Sequence, residues 1–257
     1  MKITIIGGGN MGGAIAKGLT QGSIIKACDI TVTDPSDVAL NSLKAFNQGI
    51  NTTKDNQEAI SCADIVILAV KPWLAEEVIK GLNINYDKQI ILSIAAGITL
   101  GQYAEWTSSS ATIFRVVPNT AISELASMTL IASLNATNEQ NQLVLDIFNE
   151  LGLAMLIPEK QIPATTALTS CGIAYVLKYM QAAMQAGIEM GIYPKDAMRM
   201  VAQSVKGAAE LILNKDTHPS VEIDKVTTPG GITIKGINEL DHAGFTSAII
   251  KAMKASI

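Results

Sequence analysis

The chain has 257 residues, of which 48% are hydrophobic and 16% charged, and its formal net charge is −4. This composition excludes a disordered chain and predicts a globular protein with a large core, in one large or two modest domains. Because no run of basic residues occurs, we expect neither nucleic acid nor an anionic membrane surface as a partner.

The first part of the chain alternates apolar, β-branched runs with amphipathic segments, which is the pattern of parallel strands joined by helices. The predicted strands cover residues 3–6, 30–33, 65–70, 89–94, 111–117, 128–132 and 153–157. The predicted helices between them cover residues 11–19, 38–46, 73–80 and 138–151. The fold class that follows is α/β, with an N-terminal Rossmann-type, doubly wound parallel sheet.

The pattern changes at residues 158–163, where two prolines bracket charged and polar residues. Residues 164–192 form a long segment rich in Ala and Met, without signals for strands. Pro194 suits the first position of a further helix. A polar connection at residues 214–228 then precedes two more helices, the last beginning at about Phe245. The second part of the chain is therefore predicted to be all-helical.

We place the domain boundary after residue 157, which gives a Rossmann domain at residues 1–157 and a helical domain at residues 158–257. Ala, Gly and Met are frequent in the helical domain, and small residues allow helices to pack closely. We expect some of these helices to pack against a second subunit.

Three cysteines, Cys28, Cys62 and Cys171, are too few and too widely spaced for a disulfide framework or a metal site, so no metal is expected. The apolar run at the N-terminus is too short for a signal peptide, and no apolar stretch is long enough to span a bilayer. We therefore expect a cytoplasmic protein with reduced thiols.

A glycine-rich turn follows the first predicted strand and has the spacing G-x-G-x-x-G, from Gly7 to Gly12. In such turns the first glycine permits the tight bend, the second lets the backbone approach a pyrophosphate, and the third lets helix and strand pack. The next helix directs its free N–H groups at the phosphates. The motif therefore predicts a dinucleotide site at Gly7, Gly9, Asn10, Met11 and Gly12.

Asp34 ends the second predicted strand. An acidic residue at this distance from the glycine turn hydrogen-bonds the ribose 2′-hydroxyl of NAD, and it would repel a 2′-phosphate. No arginine lies nearby, although Thr33 and Ser36 do. The alternative interpretation is that Asp34 only opens the turn that includes Pro35. Asp34 favours NADH, and both NADH and NADPH stay open as cofactors.

A second motif, Thr-Thr-Pro-Gly-Gly-Ile-Thr, spans residues 227–233 and leads straight into a helical pattern. The start of that helix offers free backbone N–H groups that suit a small carboxylate. The glycines let the backbone approach a ligand closely, and Thr233 adds a hydroxyl. An ordinary loop with a helix cap is the alternative interpretation.

These two motifs together resemble the pyrroline-5-carboxylate reductase family, whose members make proline. The resemblance covers nearly the whole chain and includes further motifs at residues 69–72, 93–97 and 115–120. It implies cofactor-binding roles for Asn56, near the adenosine; for Ala69, Val70, Lys71 and Pro72, along the cofactor; and for Ala95, Ala96 and Gly97, on the nicotinamide side. It implies substrate-binding roles for Glu159, Thr228, Gly231, Ile232 and Thr233.

The resemblance also implies a reaction. NADPH or NADH would transfer a hydride to the C=N bond of 1-pyrroline-5-carboxylate, giving L-proline. Backbone N–H groups of the loop would hold the carboxylate, and Thr233 would be the catalytic residue, its hydroxyl meeting the ring nitrogen. Family members form homodimers, which often assemble further into decamers.

The chain departs from the family pattern at three positions. Ile173 stands where the family has proline, Pro163 where it has aspartate, and Val117 where it commonly has methionine. These departures leave open a reductase of another cyclic imino acid.

Two other classes share this layout. The β-hydroxyacid dehydrogenases use a lysine followed four residues later by asparagine, whereas here Lys178 is followed by Ala182. A non-catalytic protein that senses NAD(P)H is the other alternative, against which the intact substrate loop argues.

Overall fold

The computed structural model describes residues 1–257, and its first part is one α/β sheet. The eight strands are β1 (Ile3–Ile6), β2 (Ile30–Thr33), β3 (Asn51–Thr53), β4 (Ile65–Leu68), β5 (Ile90–Ser93), β6 (Ile113–Val117), β7 (Ser127–Leu134) and β8 (Gly152–Leu156). They form a single sheet in the order β3-β2-β1-β4-β5-β6-β7-β8. The predicted Rossmann-type fold is confirmed.

Six helices lie between or beside the strands, and a further six follow the sheet. The first six are α1 (Asn10–Leu19), α2 (Asp37–Phe46), α3 (Asn56–Ile60), α4 (Pro72–Lys80), α5 (Leu100–Trp106) and α6 (Asn138–Asn149). The remaining six are α7 (Ile162–Thr166), α8 (Gly172–Glu189), α9 (Pro194–Lys215), α10 (Pro219–Val226), α11 (Ile232–His242) and α12 (Phe245–Lys254). None of them combines the length and the apolar character that crossing a bilayer requires.

The centre of the sheet explains where a ligand can bind. β1 lies between β2 and β4, parallel to both, and all four of its residues are buried. Strands covered on both faces have near-continuous apolar sequences, as β1 and β4 do. The chain passes from edge strand β3 back across β1 to β4, so the strand order reverses there. Ligands of open α/β sheets bind outside the carboxyl ends of the strands at such a point.

Two apolar clusters cover the two faces of the sheet. On one face, Ile15 of α1 and Phe148 of α6 belong to the cluster that contains Ile5 and Phe114. On the other face, Ile79 of α4 and Tyr103 of α5 belong to the cluster that contains Val66. Because both faces are packed, the carboxyl edge of the sheet is held rigidly and can position a site.

One pair of strands departs from the expected parallel arrangement. β7 runs antiparallel to β6, with Val117 opposite Leu130. The connection between them, residues 118–126, holds only a short 3-10 helix at Thr120–Glu124. A parallel crossover needs a dozen or more residues, so this short connection returns the chain in the opposite direction.

The chain divides into two compact units, Met1–Ser170 and Cys171–Ile257. The second unit is helical throughout. The division differs from the predicted domain boundary by residues 158–170, which hold a 3-10 turn, α7 and most of a π-helical turn at Ala167–Cys171. The boundary after residue 157 stays a prediction.

Within the second unit, α8 and α9 form a close helical hairpin. A Cβ on Gly187 would lie 3.3 Å from the Cβ of Ala197, so the hairpin depends on small residues at this crossing. The Tyr175 hydroxyl hydrogen-bonds the Ser256 hydroxyl and donates to the carbonyl oxygen of Ala252 at 3.3 Å. Tyr175 therefore ties α8 to the C-terminal end of α12.

Several elements were not predicted from the sequence. β3, α3 and α5 were missed, and the polar connection expected at residues 214–228 contains helix α10. β3 is a three-residue edge strand of polar residues, so it carries no apolar pattern. α10 begins with Pro219 at its first turn and with a cap in which the His218 side chain accepts from the Ser220 N–H. Those start signals were available in the sequence.

Candidate functional site

The glycine turn joins β1 to α1 and allows close contacts that only glycine permits. Gly7 adopts a φ of +105°, and a Cβ there would lie 2.6 Å from the carbonyl oxygen of Ala69. A Cβ on Gly12 would lie 2.0 Å from the carbonyl oxygen of Gly7. The first and third glycines of the motif are therefore required for packing of β1, α1 and the end of β4.

Gly9 faces open space, since no heavy atom lies within 4 Å of the position of its missing Cβ. It is also the N-cap of α1, and no side chain caps this helix. Asn10 is exposed in the first turn, whereas Met11 is half-buried against the core. A groove of about 560 Å³ begins at Gly8, Gly9 and Asn10 and continues between α1 and α2. Free N–H groups beside open space fit the pyrophosphate of the implied dinucleotide.

Asp34 links the end of β2 to the glycine turn. Its Oδ2 accepts the N–H of Gly8 at 2.8 Å, and its Oδ1 accepts the N–H of Ser36 at 2.8 Å. Backbone N–H groups thus bind both carboxylate oxygens. The interpretation as a turn residue and the interpretation as a ribose-binding residue are compatible with each other. Asp34 opens the turn before α2, and it also lies at the edge where a ribose would bind.

Asn56 is the first residue of α3, and its Oδ1 accepts a hydrogen bond from the Thr33 hydroxyl. Thr33 is buried at the end of β2, so the contact fixes α3 beside the same edge of the sheet as Asp34. In the sequence, Thr33 was noted only as a residue with a hydroxyl group next to Asp34. Its role in holding Asn56 depends on a contact between β2 and α3, a helix that the sequence analysis did not predict.

The segment from Ala69 to Pro72 turns the chain from β4 into α4. The Ala69 N–H donates to the carbonyl oxygen of Ile6 at 2.8 Å, so the segment continues beside β1 toward the glycine turn. Val70 is half-buried, and Lys71, the N-cap of α4, is exposed. Pro72 occupies the first turn of α4, where its missing N–H costs nothing. The backbone of this segment therefore borders the predicted cofactor cleft.

The segment from Ala95 to Gly97 follows β5 at the same edge. Its strand ends at Ser93, whose Oγ accepts the N–H of Ala95 at 3.2 Å and hydrogen-bonds the Tyr103 hydroxyl. Burial raises the pKa of the Tyr103 phenol, so Tyr103 stays protonated and can serve as a hydrogen-bond donor. Ala95 is buried, Ala96 and Gly97 are exposed, and Gly97 has a φ of +83°.

Glu159 is engaged within the first unit. Its Oε1 accepts from Arg115 Nη1 at 3.0 Å and from the N–H of Leu100, the first residue of α5, at 2.7 Å. The Arg115 and Glu159 side chains are 12% and 30% exposed, and Arg115 Nε is buried without a partner. This pair ties β6 and the segment before α7 to the start of α5. A role for Glu159 in binding substrate stays a prediction.

Asn119 lies in the motif at residues 115–120 that the family resemblance includes, and no individual role was assigned to it from the sequence. Its Oδ1 accepts the N–H of Ala121, and its Nδ2 donates to the carbonyl oxygen of Thr169 at 3.3 Å. The Ser170 hydroxyl donates to the carbonyl oxygen of Pro118 at 3.3 Å. Both contacts lie on the π-helical turn, a rare conformation that often marks functional positions.

The second motif forms a tight turn at the start of α11. The N–H of Gly231 donates to the carbonyl oxygen of Thr228 at 2.9 Å, and Gly230 has a φ of +72°. With Pro229 at the second position, this is a type II turn, which needs glycine at the third. A Cβ on Gly231 would lie 2.7 Å from the Thr228 hydroxyl. The predicted substrate loop is therefore preformed.

The start of α11 has no side-chain cap. Ile232, 87% exposed, and Thr233, also exposed, occupy its first turn. The N–H groups of that turn are free to bind a carboxylate beside the Thr233 hydroxyl. The predicted cofactor residues lie at the carboxyl ends of β1 to β5 or in the elements that follow, all in the first unit. The loop lies in the second unit.

Two family models match the chain. The model described as pyrroline-5-carboxylate reductase dimerisation matches residues 159–257. The model described as NADP oxidoreductase, coenzyme F420-dependent, matches residues 2–97.

Curated proteins and solved structures match along the full chain. Pyrroline-5-carboxylate reductase of Methanosarcina acetivorans is 35% identical, over 99% of this chain and 96% of that protein. Pyrroline-5-carboxylate reductase 1 of Dictyostelium discoideum is 37% identical over 99% of this chain, which spans only 48% of that longer protein. The crystal structure of Plasmodium falciparum pyrroline carboxylate reductase with NADP bound is 29% identical, with a TM-score of 0.88, over 100% of this chain and 95% of that one.

Proposed function

Because the chain belongs to the pyrroline-5-carboxylate reductase family, we propose that it reduces the C=N bond of 1-pyrroline-5-carboxylate to give L-proline, with NADPH or NADH as cofactor. The family resemblance read from the motifs is confirmed by these relatives. The protein is an NAD(P)H-dependent oxidoreductase. The observation that best supports this substrate is the uncapped start of α11, which leaves backbone N–H groups free beside the Thr233 hydroxyl.

The cofactor supplies the hydride when bound. The residues of the chain bind the cofactor and orient it. Gly9 and the first turn of α1 would hold the pyrophosphate, and Asp34 and Asn56 would bind the ribose and adenosine. The backbone after β4 and β5 would bind the part of the cofactor that leads to the nicotinamide.

The substrate loop acts on the imino acid in two ways. The backbone from Gly231 to Thr233 binds the carboxylate, and the Thr233 hydroxyl orients the ring nitrogen. A cyclic imine is basic enough to arrive protonated, so no strong acid is needed. Holding the reacting groups in place can itself supply several kcal/mol of the lowering of the barrier. The two histidines fit this assignment, because His218 caps α10 and His242 is exposed.

The second unit supports assembly into a homodimer. Among its apolar side chains only Ala197 is buried in the single chain. Exposed apolar side chains occur in all five of its helices, for example Leu177, Met200, Val226, Ile232 and Ile250. Apolar surface on this scale marks a protein interface. The mass of the purified protein in solution distinguishes a dimer from a decamer, which is the larger assembly we also consider.

We propose the cytoplasm as the location. The three cysteines are free, and Cys28 and Cys62 are exposed. Exposed free thiols persist in a reducing compartment.

The test is oxidation of the reduced nicotinamide, followed by its absorbance, with 1-pyrroline-5-carboxylate and NADH or NADPH in parallel. Substrate-dependent oxidation with proline as product establishes the reaction. The six-membered homologue of the substrate is the comparison, since Ile173 replaces the family's proline. Faster turnover of that homologue would reassign the substrate. Cofactor binding without any turnover would instead support a sensing protein.

A further inference from the structure

The strand register places a lysine next to Asp34. β2 and β3 are parallel, and Thr33 pairs with Thr53. Asp34 and Lys54 follow these two residues, so they leave the sheet side by side, at a strand spacing of about 4.8 Å. Asn56 is two residues further on and is bonded to Thr33. We refer to Asp34, Asp37, Lys54 and Asn56 as the adenosine corner.

Lys54 is paired inside this corner. Its Nζ lies 2.9 Å from Asp37 Oδ2, and Asp37 is the first residue of α2. The side chains are 54% and 73% exposed, so each can rearrange when a ligand binds. Asp34, in contrast, has both oxygens engaged by backbone N–H groups, so its carboxylate is held in place.

The charges around the corner show which cation could meet a 2′-phosphate. Asp34 and Asp37 are negative, and Asp55 is used to cap α3 by accepting the N–H of Glu58. Lys17 lines the neighbouring groove, but its Nζ lies by the Ser42 hydroxyl and 5.5 Å from the Phe46 ring. Ser42 and Phe46 lie about one and a half and two and a half turns beyond the start of α2. Lys54 is therefore the cation available at the corner.

We propose that the Asp37–Lys54 ion pair sets the preference between NADH and NADPH. Rossmann proteins accommodate a 2′-phosphate with a nearby cation and select the free 2′-hydroxyl with an acidic residue. Asp37 holds and neutralises the one cation that a 2′-phosphate needs, and Asp34 repels that phosphate. The corner therefore favours NADH and contains a 2′-phosphate subsite that Asp37 keeps closed.

This inference rests on the proposed function only for the cofactor, since it does not involve the imino acid. Its test therefore measures binding in the absence of substrate. The probes are adenosine 2′,5′-bisphosphate and 5′-AMP, titrated by calorimetry into the full-length protein. Their affinity ratio reports the 2′-phosphate alone, whatever the enzyme reduces.

Asp37→Asn is expected to raise the affinity for the bisphosphate about tenfold, because a charged hydrogen bond to Lys54 becomes available, while 5′-AMP affinity stays the same. Lys54→Met is expected to lower bisphosphate affinity. In the double variant Asp37→Asn/Lys54→Met the gain should vanish. A gain that persists without Lys54, or no gain in Asp37→Asn, would overturn the proposal.

Two control variants make the same types of substitution outside the adenosine corner. Lys80→Met and Glu76→Gln each break the exposed Lys80–Glu76 pair of α4, which has a 2.6 Å separation. Both should leave the ratio of bisphosphate to 5′-AMP affinity unchanged. A change in this ratio as large as that in Asp37→Asn would mean that general surface charge causes the effect. If the binding results hold while no turnover occurs, the reductase assignment fails and the corner assignment stands.

Discussion

The Asp34 carboxylate accepts the backbone N–H of Gly8 at 2.8 Å, which couples the end of β2 to the glycine turn after β1. A change at Asp34 should therefore act on the position of the turn as well as on the ribose. This coupling distinguishes Asp34 from Asp37, whose ion pair is exposed and touches no part of the turn.

Replacing Asp34 by serine should weaken binding of both NADH and NADPH and shift the preference toward NADPH. The serine hydroxyl is too short to reach Gly8, so the turn loosens, and removal of the carboxylate relieves its repulsion of a 2′-phosphate. Titration of each cofactor measures both effects. Asp87→Ser, at an exposed turn, is the control. An unchanged ratio of the two affinities would mean that Asp34 only shapes the turn.

Substitutions at two glycines of the first motif should affect folding and cofactor binding separately. Gly12→Ala introduces a Cβ at 2.0 Å from the Gly7 carbonyl oxygen, so we expect a loss of about 1–3 kcal/mol in the free energy of unfolding. Gly9→Ala meets no neighbour and should keep its stability while losing cofactor affinity. Thermal unfolding and cofactor titration of both variants test this.

Gly207→Ala provides the control for both glycine variants. It lies within α9, where a Cβ has no neighbour within 4 Å, and should stabilise the protein by up to about 1 kcal/mol. Normal cofactor affinity in Gly9→Ala would contradict the placement of the pyrophosphate.

Thr233→Ala should lower turnover strongly, by roughly 10- to 100-fold, because it removes a hydrogen bond to a charged ring nitrogen. NADH binding should be nearly unchanged, since the cofactor residues belong to the first unit. Steady-state kinetics and an NADH titration measure the two quantities. Thr246→Ala, on exposed α12, is the matched control. Turnover equal to that of the unaltered protein would remove Thr233 from the mechanism.

Replacing Glu159 by alanine should lower the free energy of unfolding by about 1–3 kcal/mol, since Arg115 loses its partner and the start of α5 loses an acceptor. Glu76→Ala removes an exposed pair and should cost at most about 0.5 kcal/mol. Denaturant unfolding compares the two. If Glu159→Ala keeps full stability but raises the KM for the imino acid, its role is in the substrate pocket instead.

The fold was predictable where the residues carry a repeating physical pattern. β1 and β4 are apolar throughout because both faces of the sheet are covered, and they were predicted within two residues of their observed ends. β3 has the sequence Asn-Thr-Thr, and its place at the edge comes from pairing with β2. The direction of β7 follows from its short connection to β6, whose length was a local signal already present in the sequence.

The candidate site likewise contains some features that a local sequence pattern predicts and others that only tertiary contacts determine. The glycine spacing and the Pro-Gly-Gly turn are local, since backbone conformation and helix starts depend on a few neighbouring residues, and they identified both loops. The pairing of Glu159 with Arg115 joins residues 44 positions apart. The contact of Asn119 with Thr169 joins residues 50 positions apart. Such contacts have no sequence periodicity from which to predict them.

The sequence by itself determined the fold class, the family and the two loops, because apolar periodicity, glycine spacing and turn chemistry act over short stretches of chain. Only the tertiary structure decided which polar side chains are free. Asp34 and Glu159 look alike as carboxylates in the sequence, yet both are held by distant groups, and Lys54 meets Asp37 only because β2 and β3 pair in register. Availability for a ligand depends on those partners, and strand pairing and packing bring them together.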